Sequence, residues 1–207
     1  MRNKKLGNFL LGAGALLLFA AVLIPLWRDY QYSKMPQSGA VGTGQIPEGK
    51  LVITAQRRNY RAEDLMLVIP KLELEVTVQN GTDYETLKNG PGLYEYAQVP
   101  SEGEDGNVSI AGHRDIYGSH FYAIDTIEEG DLIYLVYQGK VYVYEYEKTE
   151  IVEPNDWSVI QSKGYPCVTL TSCDPIGTTL HRIIVTGRRT EIVDYSENFE
   201  FKPKNDK

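Results

Sequence analysis

Cysteine, histidine and methionine are scarce in this chain of 207 residues, which contains two, three and three of them respectively. Two cysteines cannot build the network of disulfides that stabilises many small exported domains. The histidines are His113, His120 and His181, and their spacing matches no standard zinc-binding pattern, even with Cys173 added. A zinc site is therefore not predicted.

The two cysteines are not expected to form a disulfide. Cys167 and Cys173 lie in one β-type run. In an extended strand their Cα atoms would be about 20 Å apart, far beyond the limit of about 7 Å for a bridge. Both thiols are predicted to be free, and for Cys167 a small buried apolar residue is the favoured interpretation.

Basic residues are outnumbered by acidic ones, 21 to 28, so the net charge is −7 at pH 7. The first 28 residues contain basic residues but no acidic ones, so the rest of the chain is still more acidic. An acidic domain repels the phosphate backbone, and nucleic acid is therefore not expected as a partner.

One long hydrophobic run is present near the N-terminus. Residues 9 to 27 contain no charge, and at about 1.5 Å per residue a helix of this length crosses most of a bilayer core of about 30 Å. A cleaved signal peptide is the alternative, but no small-x-small site follows the run. Basic residues near the N-terminus favour a cytoplasmic segment at 1–8, a membrane anchor at 9–27 in the lipid bilayer and an outward-facing domain.

The rest of the chain is typical of an all-β domain with short helices. A Gly- and Gln-rich stretch within residues 28–60 predicts a flexible tether, and a polar tail is predicted at 195–207. Between them, many strands and few helices indicate a closed β-barrel. Strands are predicted at 65–70, 72–78, 93–97, 107–112, 131–137, 140–147, 165–173 and 181–193, and short helices at 83–87, 119–124 and 155–160.

Three residues at strand ends combine the groups of a cysteine acyl-transfer site. Cys173 ends one β-type run, His113 ends another, and Arg182 follows the cysteine by nine residues. A thiol supplies a nucleophile, an imidazole moves protons, and a guanidinium can stabilise an oxyanion. The charges of His113 and Arg182 are expected to lower the pKa of the Cys173 thiol.

The same residues resemble the sortases, membrane-anchored cysteine transpeptidases of Gram-positive bacteria. Their Thr-Leu-x-Thr-Cys signature stands here as Thr169-Leu170-Thr171-Ser172-Cys173, with serine in place of the second threonine. The resemblance covers roughly residues 60 to 193 and is greatest to class D. It implies an eight-stranded sortase-type barrel, with residues 61–194 as the catalytic domain on the outer side of the cell membrane.

The resemblance also implies a reaction and its partners. Cys173 would be the nucleophile that forms an acyl-thioester, His113 the general acid and base, and Arg182 the group that stabilises the oxyanion or the substrate. The substrate would be an LPxTG-like sorting signal of a secreted protein. The acceptor would be a peptidoglycan precursor amine, so that surface proteins become anchored to the cell wall.

Two other functions stay open at this point. The same residues would serve a cysteine hydrolase that uses water as acceptor, and a non-catalytic β-barrel could bind a wall ligand. No cofactor is required by any of these activities. Calcium is a further option, but the acidic run 101–106 would need another carboxylate, such as Glu153 or Asp156, to complete a site.

Overall fold

The computed structural model describes residues 21–24, 26–27, 55–62 and 64–204. The chain divides into two units, residues 1–37 and 38–207. In the first unit the described residues are helical and exposed, while most of the anchor predicted at 9–27 lies outside the described residues, as does the tether up to residue 54. Within the described ranges, none of the helices combines the length and the apolar character needed to cross a membrane.

The second unit is all-β, with a few short helices. Its strands are β1 (Leu65–Ile69), β2 (Leu74–Thr77), β3 (Gln79–Asn80), β4 (Gly92–Leu93), β5 (Gly106–Ala111), β6 (Leu132–Tyr137), β7 (Lys140–Val152), β8 (Pro166–Asp174) and β9 (His181–Asp194). Its helices are α1 (Ala55–Arg58), α2 (Tyr84–Leu87) and 3-10 turns at Pro70–Leu72, Ile124–Thr126 and Trp157–Ile160. All strands belong to one sheet, in the order β2-β1-β6-β7-β9-β8-β5-β4-β3.

The sheet curls into a nearly closed barrel because its two edges belong to one extended segment. Strands β2 and β3 are separated only by Val78. On one side β2 pairs with β1, and on the other β3 pairs with β4. The barrel therefore has nine strands where eight are predicted, because the strand predicted at 72–78 ends at Thr77 and the chain pairs again beyond Val78, at Gln79–Asn80.

The β6–β7 hairpin follows directly from its turn residues. Gln138 and Gly139 connect the two strands and have φ angles of 49° and 77°. Positive φ at both central positions is the geometry of a type I′ turn, whose twist matches that of paired strands, and glycine adopts it without steric cost. The hairpin predicted around these two residues is confirmed.

The barrel interior is a single apolar core formed by alternating side chains of the strands. Leu67 of β1, Ile110 of β5, Leu135 of β6, Leu170 of β8 and Ile184 of β9 are all fully buried in it. This core holds the ends of β5, β8 and β9 in a fixed register. The candidate catalytic residues lie at those ends.

Several predicted element boundaries are wrong. Strand β4 ends at Leu93 rather than at residue 97, and β7 continues to Val152, beyond the predicted end at 147. The helix predicted at 155–160 is a 3-10 turn that begins at Trp157. At 119–124 the backbone forms turns, and a 3-10 helix begins only at Ile124. Local patterns mark these elements but do not determine where backbone pairing stops.

The end of the segment assigned to the tether packs against the barrel. Arg57 of α1 is buried, and its guanidinium donates to the carbonyl oxygens of Leu93 and Tyr94 and to the Asn80 side chain. Tyr60 is also buried and donates its hydroxyl to the carbonyl of Val78 at 2.5 Å. Residues 55–60 therefore form part of the folded unit.

The described part of the C-terminal tail, up to Lys204, also packs against the barrel. Phe199 and Phe201 lie against Tyr134 on the outer face of β6, with ring centroids 6.0 and 5.2 Å away. The Tyr134 hydroxyl donates to the carbonyl of Lys202 at 3.0 Å. Lys204 pairs with Glu128 at 3.0 Å. The two phenylalanines cover an apolar surface that would otherwise face water.

Replacing both Phe199 and Phe201 by alanine is expected to lower the free energy of unfolding by about 2 kcal/mol, because two half-buried rings lose their packing. Urea titration followed by circular dichroism measures this. Glu197→Ala, at an exposed position of the same tail, is the matched control and should change stability by less than about 0.5 kcal/mol. If the wild type, the double variant and Glu197→Ala were equally stable, the two phenylalanines of the tail would contribute nothing to the free energy of unfolding.

Candidate active site

Three neighbouring strands bring Cys173, Arg182 and His113 to one end of the barrel. Strands β8 and β9 are antiparallel, and in their register Cys173 lies directly opposite Arg182. Strands β5 and β8 are parallel, with Ala111 opposite Thr171. Continuing that register by two residues places His113 at the level of Cys173. Cys173, Arg182 and His113 therefore lie at the same end of three neighbouring strands, and that they form one catalytic site stays a prediction from the sequence.

The Cys173 thiol lies largely inside the protein, and its burial outweighs the nearby cations. Burial raises the pKa of Cys173; Arg182 and Arg114 lower it, and Asp115 raises it further. The net direction is upward. Arg182 lowers this pKa as expected, but the net direction is the opposite of the expected one, because removing a thiolate from water disfavours it more than the two guanidinium groups favour it.

Arg182 is buried and attached to the loop between β8 and β9. Its side chain is 4% exposed, and Nη1 donates to the carbonyls of Thr179 and His181 at 3.1 and 2.9 Å. Its charge acts on the Cys173 thiol across the strand pair. The guanidinium is therefore held in place before any substrate arrives, which is the arrangement that stabilises developing negative charge best.

His113 is neutral in the free protein. Burial lowers the pKa of its imidazole to about 4, against a smaller opposing effect of Asp115. Its Nε2 is buried and has no hydrogen-bond partner in the part of the chain that the structure describes. A neutral, unpaired ring nitrogen can accept a proton at neutral pH.

Two tyrosines cover the His113 ring. Tyr84 of α2 and Tyr117 lie 6.3 and 5.5 Å from it, measured between ring centroids. Their hydroxyls are hydrogen-bonded at 2.7 Å, and the ammonium of Lys88 lies over the Tyr84 ring at 4.5 Å. Helix α2 thus closes the site above the imidazole, and this cover contributes to the burial that depresses the pKa of His113.

Replacing Tyr84 by alanine is expected to raise the pKa of His113 from about 4 toward its ordinary value of about 6.5, because water gains access to the ring. Titration of the imidazole C–H signals by NMR measures this. Tyr122→Ala is the matched control, since this tyrosine is exposed and its side chain is not stacked on His113. An unchanged titration in Tyr84→Ala would mean that the barrel itself buries the ring.

A hydrogen bond connects Ser172, the residue before the cysteine, to Gly112, the residue before the histidine. Ser172 donates its hydroxyl to the carbonyl of Gly112 at 2.7 Å. Gly112 leaves no room for a side chain, because an added Cβ would lie 2.8 Å from the buried ring of Phe121. A serine keeps this link where the signature has threonine, since either residue supplies the donor.

Tyr94 lies behind the site and has no signal in the sequence, where it is one of 15 tyrosines. Its hydroxyl is buried and unpartnered within the described residues, and so is that of Thr171. Burial raises the pKa of the phenol, while Thr171 and Arg182 lower it. Cys173 also raises this pKa, so Tyr94 lies close enough to Thr171, Arg182 and Cys173 for all three to act on its hydroxyl.

The second cysteine is separate from this site. Cys167 is fully buried and lies opposite Arg188, at the other end of β8. Both cysteines are free, which confirms that they form no disulfide with each other. Cys167 is thus the small buried residue that the sequence predicts, and burial raises the pKa of its thiol to about 12.

The acidic residues considered for calcium do not come together. Asp105 accepts two contacts from the Ser162 hydroxyl. Glu153 pairs with His181 at 3.6 Å, and Asp156 accepts from the backbone N–H of Ser158. Over residues 55–62 and 64–204, no group of three or more His, Cys, Asp or Glu side chains is arranged to hold a metal ion.

Known proteins share this fold. The Sortase domain family matches residues 67–190. Sortase SrtE2 of Streptomyces coelicolor is 32% identical over 221 residues, with 91% of this chain and 83% of that protein covered. Sortase D of Bacillus subtilis is 33% identical over 162 residues, with 76% and 78% covered. The crystal structure of Sortase E1 from Streptomyces coelicolor has a TM-score of 0.61 at 26% identity, covering 68% of this chain and 98% of that one.

Proposed function

Because the chain belongs to the sortase family of cysteine transpeptidases, we propose that it cleaves an LPxTG-like sorting signal of secreted proteins and transfers the acyl group to a peptidoglycan precursor amine. The observation that carries the proposal is the strand register: β8 and β9 set Cys173 opposite the buried Arg182, and the pairing of β5 with β8 stops two residues before His113 at the same end of the barrel. A nucleophile, a proton carrier and a fixed cation then face one reacting carbonyl.

In the first half-reaction the Cys173 sulfur attacks the carbonyl carbon of the threonine in the sorting signal. The thiol is protonated in the free enzyme, so neutral His113 takes its proton as the carbon–sulfur bond forms. The oxyanion develops beside Arg182, whose guanidinium is already fixed by backbone carbonyls. Imidazolium His113 then protonates the departing amine, the peptide bond breaks, and a thioester remains on Cys173.

In the second half-reaction the acceptor amine attacks the thioester carbonyl. Neutral His113 takes a proton from the attacking amine, and the Cys173 thiolate leaves and is reprotonated. The number of peptide bonds is unchanged, since one is broken and one is formed. The cover of Tyr84 and Tyr117 over His113 keeps water from the imidazole and so favours an amine over water as the acceptor.

Two exposed apolar side chains support a peptide as the donor substrate. Ile176 and Leu180 are 44% and 64% exposed on the loop that joins β8 to β9, directly beyond Cys173. Exposed apolar residues next to a reacting group offer contacts to an apolar peptide segment. The leucine and proline of the sorting signal fit this surface.

Membership in a family of transpeptidases favours amine transfer over the two alternatives. A plain hydrolase would use the same three residues, and a non-catalytic wall-binding barrel would need none of them. A class D sortase is among the relatives, in line with the class that the sequence resembles. In this proposal the anchor at 9–27 holds the barrel on the outer surface of the membrane, where secreted proteins and wall precursors meet.

The test is product analysis of the full chain in detergent, incubated with an LPxTG peptide with and without triglycine or diaminopimelate. Mass spectrometry should detect an acyl adduct on the Cys173 peptide and an amine-capped product that increases with amine concentration. Adduct with hydrolysed product at every amine concentration would contradict transpeptidation. The absence of any adduct across a panel of sorting peptides would contradict the substrate class.

Slow alkylation of Cys173 by iodoacetamide at neutral pH does not decide between these functions. Burial raises the pKa of this thiol in the free protein, and a catalytic thiol with a raised pKa reacts as slowly as a structural one. Only acyl transfer to Cys173 distinguishes an enzyme from a binding module.

A further inference from the structure

Arg114, the residue after His113, reaches across to the end of the nucleophile strand. Its side chain is 3% exposed. Nη1 contacts Asp174 Oδ1 at 2.5 Å and the carbonyl oxygen of Cys173 at 3.4 Å. The guanidinium thus binds the carbonyl of the nucleophile itself and the side chain of the residue after it.

The other side of the same guanidinium is also bound. Nη2 lies 2.9 Å from Asp125 Oδ1, and Nε donates to the carbonyl of Tyr122 at 3.3 Å. The side chains of Asp125 and Asp174 are 50% and 24% exposed. A planar guanidinium with five donors can satisfy two carboxylates and two carbonyls at once, whereas an ammonium cannot hold the same directions. Arg114 therefore has a single position.

Two side-chain contacts thus bracket the catalytic pair. Ser172, before the cysteine, binds the carbonyl of Gly112, before the histidine. Arg114, after the histidine, binds the residues at and after the cysteine. We infer that Arg114 is a positioning residue, which acts through Cys173 by holding the end of β8 at a fixed distance from the loop that carries His113. The inference rests on the proposed transpeptidase reaction for its kinetic readout.

Replacing Arg114 by lysine keeps the positive charge and removes the planar guanidinium, whose several N–H groups bind the two carboxylates and the two carbonyls. We expect kcat for transpeptidation to fall about ten- to a hundredfold, because a displacement of about 1 Å between nucleophile and base has an effect of that size. KM for the peptide should stay within about twofold, since Arg114 is buried and contacts no part of the substrate surface. Steady-state kinetics of the full chain in detergent measures both constants.

The matched control is Arg188→Lys. Arg188 also binds a carboxylate through two nitrogens, with Nε and Nη2 at 3.2 and 2.8 Å from Glu147 Oε1. It lies opposite Cys167, at the far end of β8. The kcat of Arg188→Lys should equal that of the wild type. A folded Arg114→Lys protein with wild-type kcat would overturn the inference, because a purely structural arginine changes the melting temperature alone.

If the Arg114 variants do not fold, Asp174→Ala tests the same contact between Arg114 and the end of β8. Removing this partly exposed carboxylate leaves Asp125 bound and takes away the shorter of the two contacts on the cysteine side, so kcat should fall to a similar extent. The double variant Arg114→Lys with Asp174→Ala should lose no more kcat than either single variant, since both changes remove one link. Losses that multiply in the double variant would show independent effects and overturn the inference.

Alkylation separates failure of this inference from failure of the proposed function, because iodoacetamide needs no peptide. Arg114 and Arg182 lower the pKa of Cys173 and Asp115 raises it, and Tyr94 is close enough for the thiol to raise the pKa of its phenol. Arg114→Met should move the alkylation midpoint to higher pH and slow the reaction about tenfold below it. Arg188→Met should leave it unchanged.

A wild type without acyl transfer, together with this shift, would contradict the proposed function and support the link between Arg114 and Cys173. If the pH midpoint of alkylation is unchanged in Arg114→Met, the link between Arg114 and Cys173 is overturned, whether or not the wild type transfers acyl groups from peptides.

Discussion

Replacing Cys173 by alanine is expected to abolish acyl transfer completely. The thioester requires a sulfur opposite Arg182 and beside His113, and no other thiol lies at this end of the barrel in the described part of the chain. The acyl adduct, the amine-capped product and the hydrolysed product should all disappear together. Mass spectrometry of the protein and chromatography of the peptides measure the three species in one experiment.

Cys167→Ala provides the matched control, since it removes the second thiol from the same strand. Cys167 is fully buried and lies six residues away along β8, with a pKa raised to about 12 by burial. Its replacement should leave the adduct on Cys173 and the rate unchanged. If Cys173→Ala still formed an acyl adduct, and adding Cys167→Ala to it abolished that adduct, the nucleophile would be Cys167 and not Cys173.

His113→Gln is expected to lower kcat by about 10²- to 10⁴-fold, the usual contribution of a general acid and base. The imidazole must take the thiol proton and then protonate the leaving amine, and glutamine does neither. KM for the peptide should change little, because the buried ring is covered by Tyr84 and Tyr117. Single-turnover measurements of adduct formation isolate the first half-reaction.

The pH dependence gives a second measure of the same residue. With the pKa of the thiol raised and that of His113 lowered to about 4, the thiol and the neutral imidazole are the forms present at neutral pH. Acylation by the wild type should therefore persist down to about pH 5 and fall only as His113 becomes protonated near pH 4.

In His113→Gln the rate should instead rise with pH as the thiolate itself forms. His181→Gln is the control, because that ring is 43% exposed and paired with Glu153. It should keep the wild-type rate and profile. A wild-type rate in His113→Gln would exclude His113 from proton transfer.

The sequence by itself determined the class of fold and the three residues that meet at one end of it. Period-two alternation predicts β-strands because side chains of a strand point to opposite faces, and the Gln138-Gly139 turn predicts a hairpin from two residues. The order of His113, Cys173 and Arg182, each at a strand end, predicts that they share a site, and the strand register brings the three positions to one end of the barrel. The alternation and the turn are local signals, so they can be read without knowing which distant segments pack together.

Only the tertiary structure decided the environment of those residues. The pKa of Cys173 depends on how deeply the barrel encloses it, and burial reverses the direction that the nearby cations alone predict. The bond between Arg114 and Asp174 joins residues 60 positions apart, and the contact between Tyr134 and Lys202 spans 68. Partners so far apart along the chain meet only when the sheet closes, and no local pattern encodes their distance or their exclusion from water.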